Sequence, residues 1–176
     1  MIFAIRNHTY ALNHRERLMP QPESIAEAFE PLLPDVEPEE IPMVIAMVER
    51  LAATNYREWC EETDDPIEKA GMLACAARED EIAEFIESLE NDSQAKTDEL
   101  NARFPDLREC YDSIMAGRSR AEQLRIQAQG ELGGADYRRQ FSAATDGAIS
   151  ARFASLALFE ESNSRFLSTL IGGSGR

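Results

Sequence analysis

The chain has 176 residues, 43% of them hydrophobic, which suits one domain with a proper core. Its net charge of −15, from 33 acidic and 18 basic residues, argues against binding nucleic acid through phosphates. No apolar run approaches the roughly 20 residues needed to span a bilayer, and Met1 to Ile5 is too short an apolar block for a secretory signal, so the cytoplasm is the expected compartment.

Residues 1–22 read as an N-terminal arm in which Ile2, Phe3 and Ile5 precede Arg6, His8, His14, Arg15 and Arg17. His8 and His14 are the only histidines. Their six-residue spacing fits neither one helical face nor a familiar metal motif, so they read as solvated arm residues. From Pro22 to Leu33 a short amphipathic helix is expected, with Ile25, Phe29 and Leu32 on one side, stopped by Pro31 and Pro34. Glu23 to Glu40 holds seven acidic residues and no Lys or Arg, a solvated face or a surface for a basic partner.

The first long helix is expected to start at Pro38 to Pro42 and run to about Glu62 through Val44, Met47, Val48, Leu51, Tyr56 and Trp59. The second begins at Asp65-Pro66-Ile67-Glu68, an N-cap followed by proline and then a glutamate three residues after the cap, and reaches about Glu90. Only Thr63 to Asp65 separates the two, which predicts antiparallel packing. A short helix is expected around Thr97 to Arg103, then a third long helix from about Leu107 to Leu132, ended by Gly133-Gly134. The fourth covers about Ala135 to Ile171, and residues 172–176 form a glycine-rich tail. The fold expected is all-α, an antiparallel four-helix bundle over residues 23–171 with a short N-terminal helix and arm. Cys60, Cys75 and Cys110 have no Cys-x-x-Cys spacing and read as reduced, packed thiols.

Two glutamates stand in the middle of apolar stripes. Glu49 has Ile45, Ala46, Ala52 and Ala53 three and four residues away, and Glu79 has Cys75, Ala76, Ile82 and Ala83. Both therefore point inward, where an isolated carboxylate costs several kcal/mol, on the order of a domain's whole stability, unless it is paired or bound to a metal.

The segment Glu49-Arg50-Leu51-Ala52-Ala53-Thr54-Asn55-Tyr56 resembles the first helix of rubrerythrin-related members of the ferritin-like superfamily, where a metal-binding Glu precedes a Tyr by seven residues. Glu79-Asp80-Glu81-Ile82-Ala83 resembles their Glu-x-x-His-Ala motif, with Ile82 in place of the histidine. The resemblance implies a carboxylate site for two iron or manganese ions acting on oxygen or peroxide, with Glu49 and Glu79 as metal ligands. Isoleucine cannot bind iron, and in the second half the nearest counterpart, Asp146-Gly147-Ala148-Ile149, also ends in isoleucine. Glu122 has Arg118 and Arg125 nearby rather than an apolar surround.

The function expected is thus a ferritin-like protein whose di-metal site is incomplete or lost, metal-binding or non-catalytic. A carboxylate-only site would suit Mn, Fe or Zn. Without metal, Glu49 and Glu79 are expected to pair with Arg118 or Arg152, which have apolar neighbours, and Arg152→Ala would then destabilise by roughly 3 to 5 kcal/mol. The alternative from another class is an acidic helical interaction module, an inhibitor or accessory subunit for a basic protein. A homodimer through a helix face is compatible with either. No phosphate loop follows a strand and no nucleophile has a histidine placed to activate it, so hydrolytic chemistry is not indicated.

Overall fold

A computed structural model describes residues 22–173. The arm residues up to 21, with His8 and His14, and the last three residues of the expected tail lie outside them. The described chain is all-helical, in the order α1 (Ile25–Phe29), a 3₁₀ segment (Glu30–Asp35), α2 (Ile41–Glu61), α3 (Pro66–Glu87), α4 (Ser93–Arg103), α5 (Leu107–Met115), α6 (Arg120–Ala144) and α7 (Gly147–Gly173). None of these helices is long and apolar enough to cross a membrane.

The starts of the long helices follow local chemistry. The Asp65 carboxylate accepts from the backbone N–H of Ile67 and Glu68, and Pro66 occupies the first turn, where no intrahelical partner is needed for its nitrogen. At α6 a full capping box forms between Ser119 and Glu122. That cap divides what the sequence suggested was one helix from Leu107. The chain stops at Met115, turns through Gly117 at φ 70°, a backbone conformation that favours glycine, and restarts at Arg120. Gly133-Gly134 does not end a helix. It lies inside α6, which continues to Ala144, and the real turn to α7 uses Gly147 at φ 60°.

Two long hairpins result. In the first, α2 and α3 run antiparallel, clipped along one edge by Arg50 to Asp80 and Glu87 and by Arg57 to Asp80. In the second, α6 and α7 run antiparallel, with the Ser142 and Ser150 hydroxyls bonding each other's carbonyls and Ser164 donating to the Ala128 carbonyl. The hairpins meet where α3 packs on α7. Gly71 permits this approach, because a Cβ there would overlap the Phe166 ring. One apolar cluster at this end includes Tyr56, Trp59, Met72, Cys75, Ile114, Leu124 and Leu167, and another at the far end gathers Ala46, Ile82, Ile86, Phe153 and Leu156. Between the two clusters the interior is polar.

Candidate functional site

Four glutamates, one from each long helix, occupy that polar layer. Glu79 of α3, Glu131 of α6 and Glu160 of α7 are buried, and the Glu49 side chain of α2 is 12% exposed. Glu49, Glu79 and Glu160 each offer a carboxylate oxygen within 4.8 Å of the others.

The sequence reading placed Glu49 and Glu79 inward, and both are there. Their partners are not the arginines expected. Arg118 donates to the carbonyls of Ile114 (2.7 Å) and Pro22 (2.5 Å), and Arg152 pairs with Glu81 on the surface (2.5 Å). The cation at the centre is Arg138 of α6, whose side chain is 1% exposed, with its Nη2 on Glu49 and 3.2 Å from Glu160. Glu79 instead accepts a hydrogen bond from the Asn163 amide, and Asn163 in turn accepts from Arg78 at 2.9 Å.

The two hairpins contribute in near-equivalent fashion. Tyr56, seven residues after Glu49, donates from its hydroxyl to Glu131 of the other hairpin at 2.5 Å. Arg138, seven residues after Glu131, donates to Glu49. Asn163 stands three residues after Glu160 as Ile82 stands three after Glu79, and only Asn163 reaches across, while Ile82 packs with Phe153 and Leu156. The residues of α7 that reach the cluster are thus Glu160 and Asn163, whereas Asp146 and Ile149 do not. Asp146 precedes α7 at its far end, and Ile149 is exposed. Glu122, at the cap of α6, is exposed and takes no part in the cluster.

Glu131 and Glu160 escaped the sequence reading because only half of their helical neighbours are apolar. Gln127, Ala128, Gly134 and Ala135 surround Glu131, and Leu156, Ala157, Asn163 and Ser164 surround Glu160. The available signal was the seven-residue spacing Glu131 to Arg138 repeating Glu49 to Tyr56.

The charge is not balanced. Four carboxylates share one guanidinium, and burial together with the charges of Glu131, Glu160 and Glu49 pushes Glu79 well above the ordinary carboxyl range. Glu160 is pushed up likewise, by burial first and then by Glu49 and Glu131, against the opposing pull of Arg138. Glu79 Oε2, Glu131 Oε2 and Glu160 Oε1 accept no hydrogen bond, and Arg138 Nε donates none. Unmet acceptors of this kind are rare in buried positions. Around the cluster, Gln127 donates to Glu131 at 2.8 Å and accepts from Tyr111 at 2.7 Å. Burial holds the Tyr56 and Tyr111 hydroxyls well above 10, so both remain neutral donors. The Cys75 thiol is pushed up to about 12, chiefly by burial, which leaves it protonated and a poor metal ligand.

A cleft of about 580 Å³ leads to this layer between α1, α2 and α6, walled by Ile25, Phe29, Val44, Val48 and other carbon surface, with Glu49, Glu131, Glu160 and Arg138 at its polar end. Comparison with family models, curated proteins and solved structures finds no match to this chain.

Proposed function

We propose that the two hairpins pack as a ferritin-like four-helix bundle and that the chain is a metal-binding protein with one carboxylate ion site, the remnant of a two-metal centre. The observation that supports this reading is the trio of Glu49, Glu79 and Glu160 converging within 4.8 Å while buried carboxylate oxygens of Glu79, Glu131 and Glu160 accept no hydrogen bond. A divalent cation held by the trio would satisfy the Glu79 and Glu160 oxygens and relieve the repulsion that raises both groups. Oxygen donors without imidazole or thiolate suit manganese or iron.

The donor set fits one ion rather than two. Arg138 already lies against Glu49 and Glu160, and a guanidinium beside a pair of dications would be repelled. A bound iron or manganese ion would supply redox chemistry towards oxygen or peroxide. The chain's own groups would hold that ion from Glu49, Glu79 and Glu160, orient Glu79 through Asn163 and Arg78, and orient Glu131 through Tyr56 and Gln127. With Ile82 and Asn163 standing where a two-metal relative carries histidines, binding is favoured over turnover.

The cation-free state is the second reading, favoured by the position of Arg138, in which that guanidinium and protons on Glu79 and Glu160 carry the positive charge. Elemental analysis and manganese titration of untagged protein separate the two. About one ion per chain, lost in Glu79→Gln and Glu160→Gln with helicity unchanged, supports the ion site. A folded protein that takes up no manganese or iron overturns it in favour of the charge network.

A further inference from the structure

The cleft above the glutamates is more than a solvent path. Its volume of about 580 Å³ lies in the range of about 300 to 1,000 Å³ typical of small-molecule sites, and its walls are mostly carbon, with Ser24, Gln127 and Gln129 as neutral polar groups and four charged residues in the central layer. There the groups are unequal: Glu49, Glu131 and Glu160 against Arg138. Arg138 Nη2 is already engaged by Glu49 and, at 3.2 Å, by Glu160 Oε1, whereas Glu131 Oε2 accepts no hydrogen bond although its residue is only 2% exposed. An entering anion would meet three carboxylates. A hydroxyl would offer one donor and no charge. An ammonium group offers three donors and a positive charge to Glu131 Oε2, which has no donor, and to Glu160, whose one cation is shared with Glu49.

We infer that this cleft binds a small apolar molecule ending in one primary ammonium group, its carbon chain against Ile25, Phe29, Val44 and Val48 and its ammonium between Glu131 and Glu160. The inference goes beyond the ion site and is stated for the ion-free protein: it shares Glu160 with the converging trio and adds Glu131, which lies outside it. Gly133 gives a clean way to close the cleft: it lines the wall, and a Cβ built there meets nothing within 4 Å, so a larger side chain fills the opening without displacing the cluster.

The test is calorimetric titration of chelator-treated full-length protein with n-octylamine, n-octanol and n-octanoate. The expected result is octylamine binding at least tenfold tighter than either isostere, weakened at least tenfold by Gly133→Leu, which leaves the net charge unchanged and so separates cleft binding from adsorption on an acidic surface. Glu131→Gln should erase the preference for the amine over the alcohol. Octanol or octanoate binding as tightly as the amine, octylamine binding untouched by Gly133→Leu, or no binding of any of the three overturns the inference. The same preparation titrated with manganese answers the other question separately: ion without amine sinks only the cleft ligand, and amine without ion sinks only the ion site.

Discussion

Buried acid at the start of α2 and in the central layer is accommodated in opposite ways. Glu40 is 6% exposed and is bonded by two cations: Arg103 grips both oxygens at 2.9 and 2.6 Å, and Lys96 adds a third bond at 2.6 Å. Those bonds hold its carboxyl down at about 2. In the central layer the ratio is inverted, with four carboxylates to one guanidinium, and Glu79 and Glu160 are driven upward. Burial is common to both places, so burial alone does not decide the protonation of an acid. In the central layer burial is the largest cause of the rise and neighbouring carboxylates add to it, whereas at Glu40 the hydrogen bonds from Arg103 and Lys96 outweigh burial.

The sharpest way to break this contrast is to remove the single central cation. Arg138→Met should cost about 3 to 5 kcal/mol in chemical denaturation, because it leaves buried carboxylates with no compensation. Arg152→Ala, whose partner Glu81 is on the surface, should cost less than about 1 kcal/mol. Equal losses in the two variants would mean that the central network carries no special weight.

A smaller effect comes from the two adjacent glycines of α6. At Gly134 a Cβ would overlap the Glu160 carboxylate, which Arg138 holds in place, so Gly134→Ala should destabilise by roughly 1 to 3 kcal/mol. At Gly133 the space is open and Gly133→Ala should stabilise by about 0.5 to 1 kcal/mol through helix propensity alone. Urea midpoints of the two variants should therefore move in opposite directions.

The two regions also predict opposite pH slopes. Glu40, lowered to about 2 from an ordinary 4.5, contributes stability that is present above pH 4.5 and is lost as pH falls through 2. Glu79 and Glu160 are raised, so the folded state keeps protons that the unfolded chain releases above 4.5, and stability from them declines as pH rises. Denaturation of metal-free protein across this range should show Arg103→Leu flattening only the acid side and a Glu79→Gln, Glu160→Gln pair flattening only the alkaline side. Saturating manganese should flatten the alkaline side in the unmutated protein.

Much of this architecture was legible in the sequence where one local rule governed. Asp65-Pro66 marked the start of α3 because capping is settled within four residues, and the apolar neighbours of Glu49 and Glu79 sent both inward. The reading went astray where a residue's role is set from another helix. Gly133-Gly134 looked like a stop, yet Gly134 is there to admit Glu160 from α7. Glu131 and Glu160 were not singled out, because polar or small residues interrupt the apolar surround of each, which is what a polar layer requires. Arg118 and Arg152 had apolar neighbours along their own helices but point to a carbonyl pair and to the surface, while Arg138, flanked by Tyr137 and Arg139, is the one enclosed.

The bonds that cross between hairpins have a consequence for how the molecule assembles. Tyr56 serves Glu131, Arg138 serves Glu49 and Asn163 serves Glu79, so each half carries donors for the other half's acids, and the first hairpin's Glu49 and Glu79 take theirs from the second. The two pairs of helices are thereby coupled, since separating them would take away at one stroke the donors of Glu49 and Glu79 and the Tyr56 hydroxyl on Glu131.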